Sequence, residues 1–196
     1  KAIVCEKYGS PEVLHLTHCN KPSPKEDEVL IKIFAASVTN SDIFIRSAKV
    51  SLLLMIPFRL KMGLRKPRNP VIGEVFAGII EYAGPGIKRF KSGDHVYGLT
   101  GFSLGAYADY KCMNEIDSIQ GCLAIMPANL SFEDATSAAY GALLLQSDRL
   151  DSITKLVESG AIKPVTDRIY PFDQIVQAHT YVECGHKRGN VAITFN

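Results

Sequence analysis

Short alternating strands, cut at regular intervals by glycine and proline, constrain this chain more than any other feature. Val13-Leu14-His15-Leu16-Thr17 alternates apolar and polar residues, and so does the second half of Glu28-Val29-Leu30-Ile31-Lys32-Ile33-Phe34. Lys21 to Glu28 lies between them as a turn rich in proline and charge. Val71 to Tyr82 implies a further strand pair ahead of the tight turn Gly84-Pro85-Gly86, and Lys91-Ser92-Gly93-Asp94 feeds another strand through His95-Val96-Tyr97. Strands this short and this punctuated fit a closed or half-closed β-barrel and not a parallel sheet.

The later part of the chain reads as helical. Ser131 opens a helix with an acid, Asp134, three residues on, the spacing of a reciprocal cap. Ala135, Ala138, Ala139 and Ala142, with Leu143, give that helix a small-residue face for close packing. Leu150, Ile153, Leu156 and Val157 mark a second helix ending at Gly160. Phe172, Ile175, Val176, His179 and Val182 mark a third, started by Pro171 and stopped by Gly185. Asn190 to Phe195 alternates as a closing strand. The expected class is therefore mainly β with flanking helices, α+β.

Lys49 to Pro70 stands apart. It mixes Leu, Met and Phe with Lys49, Arg59, Lys61, Arg65, Lys66 and Arg68 and contains no acid. One reading is a surface-active stretch that touches a membrane. The preferred one is a loop folded over a cleft, because Pro57, Gly63 and Pro67 interrupt any long helix.

The totals exclude several classes. A net charge of +2 on 196 residues gives no case for a nucleic-acid partner. The apolar run from Ser51 to Ile56 falls far short of the ~20 residues of a membrane span. Lys1 leads at once into Ala2-Ile3-Val4, without the pattern of a signal peptide. Five cysteines, an odd number with no C-x-x-C pair, read as free thiols. Together these set the expectation of a cytoplasmic protein.

Six stretches, in order, resemble the zinc-independent, quinone-oxidoreductase-like branch of the medium-chain dehydrogenase/reductase superfamily. They are Tyr8 to Leu14, Ala35 to Asp42, Pro70 to Gly78, Phe90 to Gly98, Gly105 to Tyr110 and Gly185 to Val191. The resemblance implies a GroES-like β-barrel, the catalytic domain of the alcohol dehydrogenase superfamily. It also exposes a gap. In the family, a helix like Ser131 to Leu145 leads into a nucleotide-binding Rossmann domain, whereas here Gln146 runs straight into a segment resembling the return to the barrel. Residues 1–146 and 147–196 are thus expected to be two parts of one domain, with ~100–150 residues missing at Gln146/Ser147 through excision, natural loss or proteolysis, excision being preferred. No G-x-G-x-x-G occurs, and Gly84-Pro85-Gly86 is only a turn.

The implied parent is an NAD(P)H-dependent oxidoreductase, using NADP or NAD, that reduces a quinone, carbonyl or activated alkene. This chain alone is expected to hold no cofactor and to be inactive. Zinc-dependent relatives carry a Cys near Asn40 and a Gly-His-Glu where this chain has Ile72-Gly73-Glu74-Val75, so no zinc is expected. Without metal, positioned hydrogen-bond donors must act. The resemblance places Asn40 beside the nicotinamide, where its amide suits a carboxamide; its other reading is a cap for the following turn. Asp42 and Arg46, four apart, would form an ion pair propping the site. Tyr140 is either a hydroxyl donor to substrate or cofactor, or a packed aromatic. Lys187 and Arg188 would meet cofactor phosphates beside Asn190, or else be solvated turn charges. The expected partner is a small-molecule substrate, with homodimerisation possible in the parent. The competing readings are a stand-alone binding or oligomerising barrel that uses the 49–70 segment, and a zinc alcohol dehydrogenase, which lacks its ligands.

Overall fold

A computed structural model describes every residue except 50, 51, 117, 119, 120, 145–149 and 196, and the backbone alone at 52–55, 143 and 144. The Gln146/Ser147 junction lies outside the described residues.

The eleven-residue strand β3 (Glu28–Val38) organises the fold, and β1 (Ala2–Cys5) and β2 (Leu14–Thr17) precede it as an antiparallel pair. Helices α1 (Asn40–Ser47) and α2 (Leu52–Met62) follow, then β4 (Val75–Ala83), β5 (His95–Leu99), β6 (Tyr110–Asn114) and β7 (Cys122–Ile125). The last third holds α3 (Phe132–Leu144), α4 (Leu150–Glu158), β8 (Thr166–Pro171), α5 (Ile175–Glu183) and β9 (Asn190–Thr194). One edge of β3 pairs with β4. The other is shared, with Glu28 to Lys32 on β6 and Ala35 to Val38 on β9. This shared edge explains why nearly all of β3 is buried although the strand reads as alternating only in part. The sheet order is β7-β5-β4-β3-β9-β8, antiparallel throughout except for the parallel β8–β9 pair. That pair departs from the expectation of a wholly non-parallel sheet, and α5 is the crossover that permits it.

Alternation along β4 divides the apolar residues between two cores. Phe76 and Ile80 face an inner cluster with Ile3, Ile31, Tyr107 and Ile193. Val75 and Ala77 face an outer one, against the alanines of α3 and Leu150, Ile153 and Val157 of α4. Ala135, Ala138, Ala139 and Ala142 are all buried there, as their spacing predicts. Ser131 caps α3, its hydroxyl accepting from the Asp134 N–H at 3.1 Å. The expected reciprocal bond is replaced, because Asp134 Oδ1 accepts from Thr166 Oγ1 on β8 at 2.7 Å.

The segment expected to be a loop over a cleft is the helix α2, which runs through Pro57. A single missing N–H and one local clash do not outweigh the rest of an eleven-residue helix with an apolar side to cover. It does cover a cleft: Phe58 and Met62 close over a small cavity.

The turn at Gly84 is enforced sterically. A Cβ there would lie 2.3 Å from the Glu26 carbonyl oxygen, so only glycine permits the approach.

Candidate functional site

The site begins where the chain leaves the sheet. Ser37 and Val38 are buried in β3, and Thr39, in extended conformation, turns the chain into α1. Thr39 and Asp42 form a capping box: the Thr39 N–H donates to Asp42 Oδ2 at 2.8 Å, and the Asp42 N–H donates to Thr39 Oγ1 at 3.2 Å. The Thr39 hydroxyl also donates to Asp42 Oδ2, at 2.7 Å. Asn40 is the first helical residue. It is exposed, and no side-chain hydrogen bond is made by it among the described residues. The capping role thus belongs to Thr39, which leaves the Asn40 amide free for a ligand.

The expected Asp42–Arg46 ion pair is not formed. The capping box draws Asp42 back toward Thr39, and Arg46 turns the other way. Fully buried, its guanidinium donates to the Gly9 carbonyl at 2.7 Å and to Glu183 Oε2 on α5 at 2.6 Å. Lys49 completes that cluster, 2.8 Å from Glu183 Oε1. Arg46 therefore props α1 through α5.

Among the described residues Asp42 Oδ1 and Glu74 Oε2 are buried with no geometrically sound hydrogen bond, while the Tyr107 hydroxyl and the Glu74 N–H lie close to Asp42 and Ser41 lies close to Glu74. Burial raises both carboxyls above their ordinary range. The Thr39 hydrogen bonds oppose the rise at Asp42, and the Asp42 charge adds to it at Glu74. Glu74 follows Gly73, whose φ of +99° and contact with the Tyr107 ring exclude a side chain. Tyr107 is fully buried and donates its hydroxyl to the Ser37 carbonyl at 3.2 Å. Glu74 and Ser41 open onto the cavity beneath α2, about 220 Å³, lined by Phe44, Phe58, Phe102 and Leu104.

Tyr140, Lys187 and Asn190 meet at a second cavity, about 400 Å³, between α3 and the chain leading into β9. The Lys187 ammonium lies 4.7 Å from the centre of the Tyr140 ring, buried and without a hydrogen-bond partner among the described residues. Burial lowers its pKa, against the pull of Asp42 and Asp167. Burial likewise raises the Tyr140 hydroxyl, helped by the charges of Asp42 and Glu74. Asn190 is committed structurally, its amide donating to Ser37 Oγ at 2.7 Å and Thr136 Oγ1 at 3.2 Å. Arg188 is exposed, lies outside this cavity, and donates its backbone N–H to Asp167. Sequence reasoning missed Glu74 and Tyr107. An acid inside the apolar run Val71 to Gly78 was the signal for Glu74; nothing local marked Tyr107.

Among the described residues no group of three or more His, Cys, Asp and Glu side chains is arranged to hold a metal ion. Nor is any helix long and apolar enough to cross a membrane.

This arrangement of barrel, capping helix and return strand has clear relatives. The alcohol dehydrogenase GroES-like domain family matches residues 25–123, and the zinc-binding dehydrogenase family matches residues 94–193. The chain belongs to the quinone-oxidoreductase-like branch of the medium-chain dehydrogenase/reductase superfamily. It is 38% identical over 112 residues to quinone oxidoreductase of Lama guanicoe, covering 56% of this chain and 30% of that one. It is 32% identical over 132 residues to quinone oxidoreductase 1 of Escherichia coli K12, covering 67% and 35%. The chain thus spans about a third of the length of the curated relatives it matches. In fold it matches the quinone oxidoreductase of Coxiella burnetii with a TM-score of 0.78 at 17% identity, over 100% of this chain and 99% of that one. The Escherichia coli quinone oxidoreductase solved in complex with NADPH matches with a TM-score of 0.58 at 27% identity, over 87% and 44%.

Proposed function

We propose that this chain is the substrate-side domain of an NAD(P)H-dependent, metal-free oxidoreductase that reduces a quinone, carbonyl or activated alkene. In this reading residues 1–146 and 147–196 form one domain, a dinucleotide-binding domain is missing at Gln146/Ser147, and the chain alone is inactive. The observation that carries the reading is the cavity beneath α2. Its size, about 220 Å³, suits a single-ring substrate, and its mostly apolar walls hold Phe44, Phe58 and Phe102 with two charged groups, Glu74 and Lys61. Burial holds Glu74 toward its protonated form, so it presents an O–H to an acceptor oxygen. Asp42, buried close enough to raise Glu74 further, keeps that proton in place.

The residues present fit one end of a nicotinamide dinucleotide. The free amide of Asn40 would hold the carboxamide, and the unpaired Lys187 ammonium beside Tyr140 would meet a phosphate. No G-x-G-x-x-G is present to cradle the rest. When bound, the dinucleotide supplies the hydride.

Calorimetry with duroquinone tests the substrate half of the reading, since its fully substituted ring spares the free cysteines. Saturable binding is expected, weakened about tenfold or more by Phe58→Ala. NADPH oxidation should be absent for the chain alone and appear when the dinucleotide-binding domain of the Escherichia coli relative is inserted between Gln146 and Ser147. No duroquinone binding would overturn the substrate assignment, and NADPH oxidation by the chain alone would overturn the missing domain.

A further inference from the structure

The outer side of α2 is unlike the rest of the surface. Ile56 and Leu60 lie one turn apart on α2, and Leu64 follows just past its end at Gly63 and lines one depression with Leu60; the three are 70%, 58% and 67% exposed. From residue 50 to residue 73 the chain has five cations, Arg59, Lys61, Arg65, Lys66 and Arg68, and no acid. Arg59, Arg65, Lys66 and Arg68 line, with Leu60 and Leu64, an open depression of about 600 Å³. Among the described residues no carboxylate pairs with these four cations. Arg59 donates to the Leu64 carbonyl at 2.6 Å and lies over the Tyr8 ring; Arg68 donates to the Leu60 carbonyl at 2.8 Å. These bonds hold the two guanidiniums beside the apolar residues without neutralising them. Arg65 and Lys66 are exposed, and neither has an ion pair among the described residues.

We propose that this face binds the anionic surface of a lipid bilayer, the three apolar residues entering among the acyl chains while the four cations meet phosphate headgroups. An exposed apolar row flanked by cations is the arrangement an interfacial helix uses. Charge weighs against a symmetric second copy and against a nucleic acid. A second copy would bring one acid-free cationic face against another, and the chain's net +2 supplies no wider field for a nucleic acid. The inner side of α2, with Phe58 and Met62, closes the cavity at Glu74, so helix docking and substrate binding use opposite sides. The membrane proposal therefore stands or falls independently of the oxidoreductase reading.

The test is co-sedimentation of the 196-residue chain with vesicles at low salt, using phosphatidylcholine alone or with about one quarter phosphatidylglycerol. Binding is expected only to the anionic vesicles and should be released as salt shortens the screening length. Arg65→Gln/Lys66→Gln, which removes two exposed charges, should weaken it about thirtyfold. Ile56→Ser/Leu60→Ser/Leu64→Ser should reduce it to background, and both variants should keep the parent's thermal unfolding because every altered side chain is exposed. Sedimentation with neither vesicle, equal binding to both, or retention by both variants overturns the proposal. Self-association that the serine variant abolishes, without vesicle binding, assigns the face to a second copy instead.

Discussion

His179 offers a direct test of the packing between α5 and the inner core. Its ring is fully buried and stands edge-on to Tyr107, with centroids 5.8 Å apart and planes at 86°, and neither ring nitrogen has a hydrogen-bond partner among the described residues. Burial, aided by the nearby Arg46 charge, lowers its pKa from 6.5 to about 3. The native protein therefore keeps His179 neutral over a range in which the unfolded chain takes up a proton. Because the unfolded state binds more protons between these values, stability falls as pH drops below 6.5. At pH 4.5, two pH units below the unfolded value, the loss is about 3 kcal/mol at 1.36 kcal/mol per unit. His179→Phe keeps the edge-on ring and removes the titration. Urea unfolding of both proteins at pH 7.5 and 4.5 reads the difference directly. Asp42 and Glu74 shift stability the opposite way, since their raised pKa values favour the fold as pH falls, but they are common to both proteins and cancel. The parent should lose about 3 kcal/mol more than the variant over this interval. Equal losses would show that His179 is solvated or hydrogen-bonded in the native state, and would refute the reasoning.

Three further outcomes follow from single contacts. Arg46→Met should cost about 2–3 kcal/mol by chemical unfolding, less than a fully buried pair because Glu183 is partly exposed and still held by Lys49. Gly73→Ala should cost about 2–4 kcal/mol, combining a positive φ with a methyl 2.5 Å from the Tyr107 ring, and should broaden the resonances of neighbouring residues as that ring shifts. Thr166→Val should cost about 1–2 kcal/mol in the same assay, since its hydroxyl links Asp134 at 2.7 Å and Ser137 at 2.8 Å on α3 to β8.

Much of the fold was legible because burial here follows period. The alanine face of α3, the apolar positions of α4 and the strands at 28–34 and 95–97 show their environment in their spacing. Cys122–Ile125 and Thr166–Pro171 were not read as strands, because four to six residues with mixed burial carry little periodic signal. α2 was misread for a different reason: Pro57 was weighed as a stop, although one proline removes only a single helical donor. At the site, Tyr140, Lys187 and Asn190 were named from resemblance and do share a cavity, while Arg188 does not. The Asp42–Arg46 pair failed because helix spacing gives two answers for Asp42, forward to Arg46 or back to Thr39. Two backward bonds to a fixed cap outweigh one forward pair between mobile side chains.

The start of α1, on which the site depends, is built by residues far apart in the chain. Ser37, the last polar residue of β3 before the cap, is buried, and Asn190 supplies it with a donor from the first residue of β9. β9 then pairs with β3 from Ala35 to Val38, the residues that lead directly into Thr39. At the other end of α1, Glu183 of α5 neutralises the buried Arg46. Without residues 166–194, β3 would have an unpaired edge at Ala35 to Val38, Ser37 would keep only its 3.4 Å bond to the Thr136 carbonyl, and the Arg46 guanidinium would lose its carboxylate. The lost ion pair at Arg46, about 3–5 kcal/mol for a broken buried pair, outweighs the roughly 0.5–2 kcal/mol that a helix cap contributes. The return segment is thus as much a part of the site as the helix that carries Asn40 and Asp42. The site depends on β9 reaching β3, which the pairing of Ala35 to Val38 with Val191 to Thr194 secures.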